Sequence, residues 1–402
     1  MTTTLTGLRT LDQLELANQR VLLRLDLDSP LDSPTEQQEI AYRTQAVLPT
    51  LRHIAEHEGK IVVIAHRGRP KGRANAELGL EPVAMKLAEL TGWDVILPDD
   101  CLGDAVKKAI ADLRSGQMVL LENVRFYADE ELGDDAFALK LAAHGDVYVN
   151  DALAASNRPH TSVFALPKLF RERAIGLAMQ KELEALLRVV EPGARVTALL
   201  GGTRLTDRVR LIESLLIPGR TLCVGGALGC TLLAARGTRI GMTKIDTSEL
   251  ARARTLLELG RDRNVTFVLP SDVVVSESDS GSDSRVVSIK EIGERERVLD
   301  IGPDTLKQFR NAVDGATTAF WVGAMGSLSH APLANGTVGT AQLLADSPTF
   351  SVVLGSAAIG AAQKLEPEKL ASINHVSMGG GSALELLEGK KLPGIEVLRT
   401  AE

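Results

Sequence analysis

Short runs of apolar residues recur along the chain, and each is followed by a stretch with helical spacing. The runs of the first half are VLLRLDL (21–27), IVVIAH (61–66), DVILP (94–98), QMVLLE (117–122) and DVYVND (146–151). Those of the second half are VTALLG (196–201), TLCVGG (221–226), VTFVLP (265–270), TAFWVG (318–323) and SVVLG (351–355). Val, Ile and Leu follow one another without strict alternation, which is the pattern of strands buried on both faces. PVAMKLAEL (82–90) and AVKKAIADL (105–113) read as helices. Strand and helix in alternation predict an α/β chain with two parallel-sheet domains. Leu177, Met179, Leu183, Leu186 and Leu187 fall at helical spacing and the run stops at Pro192-Gly193, so a helix is expected to link the domains. The acidic, Gly/Ser-rich stretch SESDSGSDSR (276–285) reads as a solvated loop.

Composition narrows the class. The chain has 402 residues, enough for two domains with a core each. Aromatic residues are only 3%, so the cores are expected to be built from Val, Leu, Ile and Ala. A net charge of −7 argues against a general nucleic-acid binder, which needs a basic face. Cys101, Cys223 and Cys230 are sparse and have no CxxC spacing, which predicts a reducing compartment and neither a disulfide framework nor a zinc site. The opening residues have no basic-then-apolar leader pattern, and no apolar run reaches the roughly 18 residues of a membrane helix. A cytoplasmic chain with no membrane and no nucleic-acid partner is expected.

Ligands of parallel sheets gather at the carboxyl ends of the strands, and the chemistry of this chain lies there. The run 21–27 delivers Asp26 and then Asp28; His66, Arg67, Gly68, Arg69 and Lys71 follow 61–66. Arg125 follows 117–122, Arg158 and His160 follow 146–151, and Arg43 lies on a helical segment. Brought together, these form a pocket of guanidiniums, an imidazole and carboxylate. Arg forks match phosphate and carboxylate oxygens, so a small metabolite bearing both groups fits. His53, His57, His144 and His330 read as bystanders. In the second half, VVLGSAAIGAAQKL (352–365) passes from a strand through Gly355 into a helix, a layout that cradles phosphate on free backbone N–H groups. Enzymes that move phosphoryl groups place a carboxylate nearby for Mg²⁺, yet residues 351–362 contain no Asp or Glu. No GxGxxG opens a first βαβ unit, which argues against a dinucleotide oxidoreductase.

The stretches VLLRLDLDSPL, IVVIAHRGRPKG, LLENVRFYADEE, DVYVNDALAASNRPHTS, GLAMQKELEAL, ALLGGTRLTDRVRLIESLL, DIGPDTLKQF and HVSMGGGSALELLEGKKLPG resemble phosphoglycerate kinase, in that family's order and over nearly the whole chain. The resemblance implies two Rossmann-like domains that close over their substrates. An N-terminal 3-phosphoglycerate domain would span 1–175, a joining helix 176–190 and a nucleotide-binding-like domain 191–384, with 385–402 packed back on the first. It implies reversible phosphoryl transfer between 1,3-bisphosphoglycerate and ADP, giving 3-phosphoglycerate and ATP, with Mg²⁺, in a monomer. Asp26, Arg43, His66, Arg69, Arg125 and Arg158 match residues that bind 3-phosphoglycerate, and Arg43 matches the arginine that stabilises the transferring group. Asp28 stands where the family has Asn; it accepts but cannot donate, and should weaken ligand binding unless it pairs with a neighbouring Arg.

The nucleotide half departs further. The family's two lysines fall on Arg204 and Arg208, its GGG on Gly225-Gly226-Ala227, and its WNGPMG on Trp321-Val322-Gly323-Ala324-Met325-Gly326. The ribose acid falls on Ser329. The phosphate cradle becomes Gly355, Ser356, Ala357 and Ala358, with Ala357 in the place of the metal-binding Asp. Met378 replaces a Thr, while Gly379, Gly380 and Gly381 remain to cradle phosphate, so Gly380 and Gly381 join Arg43, Arg204 and Arg208 as catalytic candidates. Three readings stay open. They are a kinase using Mg²⁺ and ATP/ADP, an inactive homologue that binds 3-phosphoglycerate or a related anion as a sensor or scaffold with a protein partner, and a kinase with another nucleotide or acid.

Overall fold

Buried backbone N–H and C=O groups must find partners, and the apolar runs find them in one another. The computed structural model describes residues 5–28, 36–114, 116–278, 280–327 and 334–400, the side chains of 36–39 excepted. The first half contributes β1 (Arg20–Leu25), β2 (Lys60–Ile64), β3 (Asp94–Ile96), β4 (Gln117–Leu120), β5 (Val147–Asp151) and β6 (Arg173–Ile175). These form one parallel sheet in the order β3-β4-β2-β1-β5-β6. The second half contributes β7 (Val196–Leu200), β8 (Thr221–Val224), β9 (Thr266–Val268), β10 (Asp272–Ser276), β11 (Arg285–Ser288), β12 (Arg297–Ile301), β13 (Thr318–Val322), β14 (Phe350–Leu354) and β15 (His375–Val376). Six of them make a second parallel sheet, β15-β14-β13-β7-β8-β9, and the other three an antiparallel sheet, β11-β10-β12.

The expected α/β architecture of two parallel sheets is present, and β6, the β10–β12 sheet and β15 are added to it. β6 and β15 are edge strands of three and two residues, too short to leave a hydrophobic pattern. The runs 94–98 and 265–270 end early, at Ile96 and Val268, just before Pro98 and Pro270, which have no N–H to give a ladder. The stretch 276–285 is corrected at its ends: Ser276 closes β10 and Arg285 opens β11, two strands that pair as an antiparallel hairpin.

Winding reverses once in each parallel sheet. From β1 the chain adds β2 and then β4 and β3 on one side, and returns to place β5 on the other. From β7 it adds β8 and β9, then returns to place β13 on the opposite side of β7. A reversal sends the connecting helices to opposite faces and leaves a crevice at the carboxyl ends of the two central strands. The crevices therefore open beside Asp26 and Asp151 in one unit, and beside Gly201 and Gly323 in the other.

The chain divides into two compact units. One holds the described residues up to 184 with 381–386 and 390–400; the other holds 185–380 with 387–389. The division falls inside the helix Leu177–Val190. The C-terminal segment is tied into the first unit: Gly394 N donates to Ser156 O (2.9 Å), Asn150 Nδ2 donates to Gly394 O (3.2 Å) and Ser382 Oγ donates to Ala154 O (3.0 Å).

The helix Leu177–Val190 is anchored at its start by a buried carboxyl. Asp151, at the end of β5, accepts from Met179 N (2.6 Å) and from Thr50 Oγ1 (2.6 Å), and Thr50 Oγ1 in turn accepts from Leu177 N (3.0 Å). Burial pushes the Asp151 carboxyl up to about 6, against the pull of these donors. Thr50→Val leaves one buried oxygen of Asp151 unpaired and is expected to cost about 1–3 kcal/mol in urea unfolding of the full chain.

Candidate functional site

The site of the first unit is built on a charge inside an apolar strand. Arg24 interrupts VLLRLDL one residue before the end of β1 and is only 1% exposed. A buried guanidinium needs every donor used and a compensating anion. Its Nε donates to Ser162 Oγ (2.9 Å), and Ser162 donates through Oγ (2.5 Å) and N (2.8 Å) to the carboxylate of fully buried Glu130. Burial raises the Glu130 pKa while Arg24 and Ser162 oppose the rise.

The remaining arm of Arg24 sets a tautomer. Its Nη2 lies 2.8 Å from His66 Nδ1. A guanidinium only donates, so Nδ1 accepts and the ring proton sits on Nε2. Nε2 faces Asp28 Oδ2 at 3.5 Å. Burial, with Arg24 and Arg125 nearby, lowers the His66 pKa despite Asp28, and the ring is neutral. Burial raises the Asp28 pKa, but His66, the Gly68 N–H (2.7 Å to Oδ1) and Arg43 outweigh it and hold the carboxyl below the usual range. Asp28 thus pairs with an imidazole N–H and a backbone N–H, not directly with an Arg.

The loop after β2 is held rigidly. Asn123 Nδ2 donates to Arg67 O (2.7 Å) and Leu78 O (2.9 Å), and Arg67 Nη1 donates to Glu77 O (3.0 Å) and Gly79 O (3.3 Å). Gly68 has φ +64, and a Cβ there would lie 2.4 Å from Leu78 Cδ2. Only glycine meets both demands. Arg125 Nη1 donates to Gly68 O (3.0 Å) and its Nε faces Glu131 at 3.8 Å. Arg43 Nη1 lies 2.5 Å from Asp26 Oδ2, with the guanidinium 22% exposed. Arg69 and Arg158 are exposed and form no ion pair among the described residues. The expected cluster is therefore two-tiered, with Asp26, Asp28, Arg43, His66 and Arg125 locked in place and Arg69 and Arg158 open to solvent. The field is strongly positive: burial and then Arg125, Arg24 and Arg158 depress the His160 pKa to about 4. Anions are drawn to such a crevice.

In the second unit, the parallel neighbours β7 and β13 stay in close backbone contact past their ends. Gly201 N donates to Val322 O (2.8 Å), Gly202 N to Ala324 O (3.0 Å) and Gly226 N to Met325 O (2.7 Å). Gly323 has φ +86, and its Cβ would lie 2.4 Å from Gly201 O. Beside these strand ends lies a cavity of about 280 Å³ lined by Gly202, Gly226, Ala227, Ile301 and Met325, with Asp300 at its wall; Gly225 packs just behind, against Met325 and Ile301. Asp300 accepts from Gly336 N (2.6 Å) and Ile301 N (2.8 Å), and burial pushes its pKa up to about 7.

The expected phosphate-side residues are spread along the same sheet edge. Arg204 is exposed and paired with Asp207 (3.2 Å). Arg208 is half-buried, donates to Asp207 O (3.2 Å), and keeps a buried Nε without a partner. Gly355 (φ +88) opens the helix Ser356–Ala362, whose first turn holds no acid; Ala357 is half-buried and Ala358 buried. Gly380 (φ +51) opens the helix Gly380–Leu387, and Gly381 follows it. Ser329 lies outside the described residues. Arg24, Glu130 and Ser162 were absent from the sequence reading, though a charge in the middle of VLLRLDL is a signal that could have found Arg24.

Comparison with known proteins agrees in both sequence and fold. The family model for phosphoglycerate kinase matches residues 11–390. The phosphoglycerate kinase of Anaeromyxobacter dehalogenans (strain 2CP-C) is 40% identical over 394 residues, 97% of this chain and 99% of that protein. That of Microcystis aeruginosa is 36% identical over 396 residues, 97% of this chain and 98% of that protein. The structure of phosphoglycerate kinase from Coxiella burnetii superposes with a TM-score of 0.85 at 30% identity, covering 97% of this chain and 98% of that one.

The two buried imidazoles give a pH test. Their folded pKa values lie below the ordinary 6.5, so each imidazole contributes stability that is full above about pH 6.5 and is lost as pH falls, for His160 by about pH 4. The raised carboxyls of Asp151, Asp300 and Glu130 contribute with the opposite sign in the same range, so the imidazole part is read as a difference between variants. The urea midpoint of His160→Gln relative to the native chain is expected to rise as pH drops from about 6.5 toward 4.

Proposed function

The chain belongs to the phosphoglycerate kinase family, and from that premise we propose that it transfers a phosphoryl group reversibly between 1,3-bisphosphoglycerate and ADP, giving 3-phosphoglycerate and ATP, at a reduced rate. The observation that carries this reading is the ordered anion site at the carboxyl ends of β1, β2, β4 and β5. Arg69 and Arg158 present open guanidinium forks that suit the phosphate and carboxylate of 3-phosphoglycerate. His66 offers a neutral Nε2–H, fixed by Arg24, beside Asp28. Asp26 holds Arg43 where it can meet the transferring group. Such transfer rests on positioning and on charge stabilisation, and the chain supplies both here without a covalent step of its own. We further propose that the protein acts as a cytoplasmic monomer.

The nucleotide side supports a slower reaction. Gly225, Gly226 and Gly323 keep backbone close beneath the cavity, and Arg204, Arg208, Gly380 and Gly381 can meet phosphate oxygens. Mg²⁺, when bound to the nucleotide, neutralises phosphate charge. The residues present do not fit a protein-held Mg²⁺: Ser356, Ala357 and Ala358 form the first turn after β14, Asp207 is paired with Arg204, and both oxygens of Asp300 accept backbone N–H. That same absence favours a second reading, in which the protein binds 3-phosphoglycerate or a related anion without transfer and serves as a sensor or scaffold.

A coupled assay with 3-phosphoglycerate, ATP and Mg²⁺ separates the two. Under the first reading the native chain turns over, and Ala357→Asp is expected to raise kcat by about 10- to 100-fold, since one well-placed electrostatic group is typically worth about 10²–10³. Calorimetric binding of 3-phosphoglycerate with no turnover by either protein supports the second reading and overturns the first.

A further inference from the structure

We propose that the second unit binds a nucleoside diphosphate through the guanidinium of Arg208 in place of a protein-held divalent cation, so that the metal-free nucleotide is its preferred ligand. This rests on the nucleotide reading above and says which ionic form that site takes.

The loop that carries Arg208 is built to hold it still. Glu249, only 5% exposed, accepts from Leu205 N (3.0 Å) and Thr206 N (2.7 Å), and Arg208 N donates to Leu205 O (2.8 Å). The loop is thus clamped on both sides of its turn, and it follows β7, one of the two strands at the winding reversal. Its two arginines then have different fates. Arg204 stands out in solvent and pairs with Asp207. Arg208 is drawn inward, makes one hydrogen bond to a neighbouring carbonyl, and leaves its buried Nε unpaired. Burial lowers its pKa, and Asp207 and Glu388 only partly offset this from a distance. A half-buried guanidinium with donors to spare and no carboxylate in contact is short of an anion.

The acids of this loop and of the neighbouring cavity are committed elsewhere. Glu249 gives both oxygens to the loop and Asp300 gives both to backbone N–H groups. Asp207 holds Arg204. Mg²⁺ demands hard oxygen ligands in near-octahedral geometry and sheds water reluctantly. A planar cation demands nothing of the protein beyond room for a phosphate, which it grips with parallel N–H donors. The apolar cavity of about 280 Å³ beside Gly202 and Gly226 lies at the same sheet edge and suits the apolar base of such a ligand. A free diphosphate carries more negative charge than its magnesium complex, so a site whose cation is a side chain favours the free form.

The test is calorimetry of the full chain with ADP, in EDTA and in saturating Mg²⁺, with inorganic pyrophosphate as a second probe. The expected result is binding in EDTA as tight as in Mg²⁺ or tighter. Arg208→Met should weaken ADP at least tenfold in EDTA, and Arg208→Lys should recover part of the loss. Ala357→Asp, which adds a carboxylate at the cradle, should weaken binding in EDTA and make it Mg²⁺-dependent. Native affinity that rises tenfold or more with Mg²⁺ overturns the proposal and leaves the transfer reading standing. Metal-independent ADP binding without turnover does the reverse. No ADP binding in either condition, with 3-phosphoglycerate still bound, overturns both.

Discussion

Parallel strands that are buried on both faces leave the chain one place for polar chemistry. Every strand of each six-stranded sheet points the same way, so all carboxyl ends share one edge. Along the strands themselves a polar side chain would have to be desolvated; at their ends it meets loops and water. The reversal of winding beside β1 and again beside β7 opens a crevice at that edge in each unit. The cationic cluster and the cavity both sit where the order of strands reverses, among residues that the chain places just after β1, β2, β4, β5, β7 and β13.

Arg24 is the exception, and the first unit is organised around it. A buried guanidinium within β1 is tolerated because Ser162 relays it to the buried carboxylate of Glu130 and because Leu25 O and His66 accept its two terminal nitrogens. Removing one partner of such a buried set typically costs about 3–5 kcal/mol, so the network is costly to disturb. What it secures is a neutral imidazole in one tautomer and a carboxylate, Asp28, kept ionised by N–H groups and by positive charge. Asp28 is thus held locally by the His66 and Gly68 N–H groups, with Arg43 adding positive charge from a distance rather than a direct pair.

The second unit is organised differently. Its acids are spent on backbone N–H groups, Glu249 on the loop after β7 and Asp300 on Gly336 and Ile301. The close approach of the chain just after β7 and β13 depends on glycines whose Cβ atoms would collide with backbone oxygens. The close backbone of the crevice is therefore built without a free acid from Glu249 or Asp300, and of the two arginines on the loop after β7 one is tied to Asp207 and the other is not. The two units share an architecture and differ in how completely their ionic groups are paired.

By itself the sequence determined the alternation of strand and helix, the linking helix, the kinship with phosphoglycerate kinase, the cations at the strand ends, and the absence of an acid after SVVLG. These are local properties, carried by spacing within a dozen residues or by order along the chain. It did not determine the short edge strands β6 and β15 or the antiparallel β10–β12 sheet, since a two- or three-residue strand leaves no period and a hairpin beside an acidic turn looks like loop. Nor did it decide which ionic groups pair. Arg24 reaches His66 across 42 residues and Ser162 across 138, Asp28 finds Gly68 rather than an arginine, and Asp207 closes Arg204 but leaves Arg208 open. Those choices depend on strand register and on which side chains share a dry space, and only the packed tertiary structure settles either.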